Sequence, residues 1–132
     1  MRSKLSAVIV GVVLLLAGLP VLAHHSGAAE FDSTKKIDLT GVVTKVEWTN
    51  PHAHFYMDVK DASGNVINWN LELASPNVLI RNGWSRKSVK PGDTVSVTGV
   101  RAKDSPYYGS AALITFPDGH RLNFTSAEEP AK

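Results

Sequence analysis

The sequence predicts an all-β domain: a small barrel of five to six strands with one short helix between strands 3 and 4. Three observations carry this. Residues 54–60 and 66–73 alternate apolar and polar side chains with a period of two. The segment 37–48 is long and β-branched, with Gly41 inside it. The period then changes once, behind Ser75-Pro76, before strand signals resume at Thr94.

The elements follow in order. Gly41 within strand 1 marks a bulge or a strong bend. Asn50-Pro51 is a turn. Strand 2 puts Phe55, Met57 and Val59 on one face and His54, Tyr56, Asp58 and Lys60 on the other. Asp61 to Asn65 reads as a hairpin, and strand 3 turns Ile67, Trp69, Leu71 and Leu73 inward. Ser75 is an N-cap with Pro76 at the first helical position, and Asn82-Gly83 stops the helix. Strand 4 covers 94–103. The segment 105–109 is a loop, and 111–116 with 121–124 form a last hairpin across Pro117-Asp118-Gly119. A meander of three strands, a helix and a closing hairpin is the order of an OB-like barrel, with an open sandwich as the alternative.

The chain has 132 residues and no cysteine. Arg2 and Lys4, an apolar run from Ala7 to Leu19, and a break at Pro20 to Ala23 read as a secretory leader cleaved after residue 23. The alternative is a retained anchor, which its length and its glycines disfavour. The expected organisation is a leader over 1–23, a flexible arm over 24–36, the β-barrel domain over 37–126 and a tail over 127–132. Losing Arg2 and Lys4 from the 14 basic residues balances them against the 12 acidic ones. A neutral domain lacks the footprint of a nucleic-acid binder. Without cysteine there is no disulfide framework, thiolate site or lipid-anchoring cysteine. These features point to a bacterial periplasmic or secreted protein with no stable membrane anchor after cleavage.

The chain resembles a bacterial family of small exported proteins known as domain of unknown function 6152. The matching residues are His24-His25-Ser26, Phe31-Asp32, Trp48-Thr49-Asn50-Pro51-His52 and Trp69 with Glu72. Further along they are Ser75-Pro76-Asn77, Arg81, Gly83-Trp84 and Lys90-Pro91-Gly92-Asp93. The resemblance implies an exported, barrel-like domain and no assigned activity. The family's usual residue at position 54 is aromatic or aliphatic, so a role that needs His54 is not the family's shared role.

Four of the five histidines fall in two pairs, His24-His25 and His52-Ala53-His54. Residues two apart on a strand face the same side, so His52 and His54 can converge on one ion. A free His24 would offer its amine, of reference pKa about 8, beside its ring. Folding the hairpin about Ser63-Gly64 sets Glu72 opposite His54. The expected metal set is His24, His25 and His52, with His54 and Glu72 as optional members. Imidazole ligands suit copper or zinc. The plain structural reading is an exposed polar strand face, with Glu72 accepting from the helix start.

Trp48 flanks the loop between strands 1 and 2, while Tyr107 and Tyr108 lie in the expected loop between strands 4 and 5. With Tyr56 they form a candidate ligand-binding aromatic surface; packing over a barrel end is the plain alternative. No nucleophile triad, phosphate loop or acid/base pair stands out, so no enzyme is expected. The expectation is an exported protein that binds a metal ion or small ligand. The alternative is a module that recognises a peptide, glycan or envelope protein through its aromatic loops.

Overall fold

The computed structural model describes residues 27–124. The expected leader over 1–23, His24, His25 and the expected tail over 127–132 lie outside these residues. The elements are a short helix α1 (Gly27–Glu30), strands β1 (Phe31–Glu47), β2 (His54–Lys60) and β3 (Val66–Glu72), helix α2 (Pro76–Arg81), and strands β4 (Thr94–Ala102), β5 (Tyr108–Thr115) and β6 (Arg121–Asn123). One sheet runs in the order β3-β2-β1-β4-β5-β6, and β3 also pairs with β5. That pairing is parallel and joins Asn70 to Tyr108 and Glu72 to Ser110. The first five strands therefore close into a ring, the OB-like arrangement expected from the element order.

The ring works because β1 serves two neighbours. Its first part pairs with β4 from Phe31 to Val42, and its second part with β2 from Gly41 to Glu47. Gly41 is paired on both sides, to Val59 and Val95. A Cβ there would sit 2.1 Å from the Asp58 carbonyl oxygen, so the glycine permits a close approach of two backbones. The β1 irregularities lie elsewhere: between Val43 and Lys45 against β2, and between Asp32 and Lys36 against β4.

Two boundaries differ from the sequence expectation. β1 begins at Phe31 rather than Ile37, inside the segment expected to be a flexible arm. Phe31 is buried and pairs with Ala102, while the polar run behind it hides the strand pattern. β5 begins at Tyr108, which was expected in a loop. Its parallel pairing to β3 extends the strand, a long-range effect that local sequence does not display.

The inward faces meet in one apolar core. Phe55, Met57, Leu71, Leu79, Val97 and Ile114 are fully enclosed, each contributing roughly 1.5–3 kcal/mol of transfer free energy. Helix α2 covers one end. Ser75 Oγ accepts from the Val78 amide at 3.4 Å, and Pro76 takes the first helical position. Gly83 adopts φ +88° just past the C-cap, and Trp84 N–H returns to the Leu79 carbonyl at 2.9 Å. The Trp84 ring packs on Phe124 at 4.5 Å and donates its Nε1–H to the Asn123 carbonyl at 3.0 Å. No helix among the described residues is long and apolar enough to cross a membrane.

Candidate functional site

The chain between β1 and β2 is tied to the end of β3 through Ala53, which is completely buried. Its amide donates to the Ala74 carbonyl at 3.2 Å, and its own carbonyl accepts from Leu73 at 2.8 Å. The two flanking histidines are thereby fixed beside Glu72. His54 is the first residue of β2 and pairs across the ladder with both Glu47 of β1 and Glu72 of β3. A carboxylate, an imidazole and a second carboxylate thus stand in one row across three strands.

His52 Nδ1 meets Glu72 Oε1 at 2.7 Å. A carboxylate only accepts, so Nδ1 carries a proton, and the neutral ring has its lone pair on Nε2. The His52 side chain is 50% exposed and that of Glu72 only 12%. The acid is a recessed anchor and the imidazole its exposed face. His54 repeats the arrangement with a neutral partner. Its Nδ1 lies 3.0 Å from Asn70 Oδ1, again leaving Nε2 unengaged by this bond. The other oxygen of Glu72 accepts a short hydrogen bond from the Tyr108 hydroxyl. The Tyr108 ring lies 5.4 Å from Phe31 and stacks near His54 at 6.4 Å. Burial, and then the Glu72 carboxylate, push the Tyr108 phenol far above the ordinary tyrosine range, and Glu30 at the end of α1 adds to this. The phenol is the donor in its bond to Glu72.

Of the expected metal set, the structure brings together His52, His54 and Glu72. His24 and His25 lie outside the described residues. Among the described residues, no three His, Cys, Asp or Glu side chains converge tightly enough to hold an ion. Glu72 fits the role of orienting His52 better than that of ligand, because both its oxygens are already engaged.

The aromatic residues are dispersed. Trp48 is half-buried against the core. Tyr56 is half-buried, donates to Glu47 Oε2 at 3.2 Å, and carries Lys45 Nζ 5.2 Å above its ring. Lys45 holds the Glu47 carboxyl below its usual range, while burial and Glu47 raise the Tyr56 phenol. Tyr108 is spent on Glu72. Tyr107 is the open one, 47% exposed, with its ring edge-on to Trp69 at 5.8 Å.

Sequence reasoning missed the Tyr108 hydroxyl as the second partner of Glu72. It also missed Glu30 at the end of α1, whose carboxylate helps to raise the same phenol. Neither contact has a local signal, since both depend on where β5 pairs.

Curated proteins give no match to the chain. The model of a family of unknown function, DUF6152, matches residues 12–111, well over half of the 132 residues. The chain is therefore a member of the DUF6152 family.

Proposed function

We propose that this protein is an exported, non-catalytic binding protein of the bacterial periplasm or medium, whose Glu72-centred site takes Cu(II) or Zn(II). The observation that carries this reading is the 2.7 Å contact from His52 Nδ1 to Glu72. A metal-ligating histidine characteristically gives its other ring nitrogen to a carboxylate, which fixes the tautomer and raises the basicity of the ligating nitrogen. His52 has that carboxylate and is exposed on its other side. His54 is the second candidate ligand, with Asn70 as its orienting group.

The remaining ligands come from the N-terminal segment. The Phe31 ring, directly after α1, lies 5.4 Å from that of Tyr108, so α1 ends near the site. His25 and His24 precede Gly27 closely, and each residue spans up to about 3.3–3.6 Å of extended chain. In this reading both rings, and the amine of His24 after cleavage, complete the set around His52. Neutral imidazoles and an amine suit copper and zinc in a thiol-free chain.

The test is nitrogen-resolved NMR of the histidine rings during a Zn(II) titration. The expected result is an Nδ1–H tautomer of His52 before addition, and a shift of its Nε2 resonance that saturates at one equivalent. A His52 ring that exchanges between tautomers and shifts no more than His120 contradicts the reading.

A second reading is supported by the exposure of Tyr107: a module that recognises a peptide, glycan or envelope protein. It predicts that Tyr107→Ala abolishes partner binding while His52→Ala does not, and the metal reading predicts the reverse for metal.

A further inference from the structure

The inward phase of β4 runs Val95, Val97, Gly99, Arg101. Val95 and Val97 are buried in the core. The same phase therefore carries a guanidinium to the end of the barrel, where Arg101 is half-buried. It lines a cleft of about 570 Å³ together with Lys36, Ile37, Leu39, Asp38 and Trp69. This size lies within the usual range for a small-molecule site, roughly 300–1,000 Å³. The cleft borders the irregularity between Asp32 and Lys36, where β1 separates from the regular ladder of β4.

The lining is chemically divided. Trp69, 9% exposed, supplies an aromatic wall that the Tyr107 ring buttresses edge-on. Ile37 and Leu39 extend the apolar part. Lys35, also on the wall, is matched to Asp32 at 3.4 Å. The Arg101 side chain makes no ion pair or hydrogen bond among the described residues. The guanidinium is open to a bidentate partner, which an incoming carboxylate supplies.

We infer that this cleft binds a small aromatic carboxylate. Its ring lies against Trp69, and its carboxylate is held by the fork of Arg101. The planar guanidinium matches a carboxylate through two parallel hydrogen bonds. Lys36 and Asp38 border the cleft but alternate to the outer face of β1, away from Ile37 and Leu39. Trp69 and Glu72 belong to opposite faces of β3, so this site is separate from the proposed metal site.

The test is a calorimetric titration of the intact protein with 1-naphthoate, 1-naphthamide and acetate, with thermal unfolding of every variant to verify folding. The expected result is one-site saturable binding of naphthoate, at least tenfold tighter than the neutral amide or acetate. Arg101→Ala weakens it at least tenfold, and Arg101→Lys recovers part of the loss. His52→Ala leaves it unchanged. Equal binding of the amide, indifference to Arg101→Ala in a folded variant, or no saturation at millimolar ligand overturns the inference. Loss of binding in His52→Ala also overturns it, because the ligand would then belong to the Glu72 site.

Discussion

His52 and Glu72, twenty positions apart, meet through Nδ1 and Oε1 at 2.7 Å, and this contact sets the direction of the exposed Nε2. The contact depends on Ala53, whose burial and two hydrogen bonds pin the β1–β2 loop to the end of β3. Fold and site are joined at that point. Glu72→Gln keeps the shape of the side chain but lets its amide nitrogen face the imidazole. The expected loss in Zn(II) affinity is about 10–100-fold with the stoichiometry retained, because an orienting group is lost and not a ligand. Competition against a chelator of known affinity measures it.

Tyr108→Phe removes the hydroxyl that donates to Glu72. Hydrogen bonds to charged groups contribute about 1.5–3 kcal/mol. Glu72 retains part exposure, so the expected destabilisation is at the lower end, about 1–2 kcal/mol. Urea unfolding checks it. A change of less than about 0.5 kcal/mol would show that water replaces the phenol without penalty.

The pH dependence follows from the same group. The Tyr108 phenol is raised in the folded state by burial and by Glu72, and Tyr56 is raised by burial and Glu47. Above about pH 10 the unfolded tyrosines lose their protons while the folded ones hold them. Stability from these groups is therefore complete below about pH 10 and falls as pH rises beyond it. At the acid end, Asp32 is held down to about 2 by its hydrogen bonds from Thr34 and by Lys35. Its contribution is present above the ordinary aspartate pKa of about 3.9 and is lost as pH falls toward 2. Thermal unfolding across pH, with ultraviolet titration of the tyrosines, checks both limbs. Full ionisation of all tyrosines near pH 10 in the folded protein contradicts the first.

Gly41 and Gly99 test the ring. A Cβ at Gly41 falls 2.1 Å from the Asp58 carbonyl oxygen, and one at Gly99 falls 2.1 Å from that of Ser110. Backbone has to move in either case, so Gly41→Ala and Gly99→Ala are each expected to destabilise by about 1–3 kcal/mol. At Gly27 a Cβ meets nothing within 4 Å, and Gly27→Ala is expected to be neutral or mildly stabilising. Melting temperatures of the three variants separate close approach from a general cost of replacing glycine.

What the sequence displayed and what it concealed divide along the range of the interactions. The alternation of Phe55, Met57, Trp69 and Leu71 gave the faces and the register of β2 with β3, so the facing of His54 and Glu72 was legible. Ser75-Pro76 and Asn82-Gly83 marked α2 because capping is local chemistry. Phe31 was hidden behind the polar run Asp32 to Lys36, and Tyr108 behind Ser105-Pro106. Both belong to strands that form only because a distant partner accepts them. The bonds of Glu72 were concealed for the same reason. Register puts His54 opposite it, but its partners are His52 from the preceding loop and Tyr108 from β5. Arg101 had a signal, an arginine on the inward phase after Val95 and Val97, which becomes visible once the ring closes.

The central claim is that His52, oriented by Glu72, is the fixed ligand of a metal site completed by His24 and His25. Isothermal calorimetry with Cu(II) and Zn(II) tests it most directly, on protein exported and processed to an authentic His24 terminus, beside His52→Ala. The account predicts tight one-to-one binding that His52→Ala abolishes and that acetylation of the His24 amine weakens. Weak binding, identical in the wild-type protein and in His52→Ala, would contradict it.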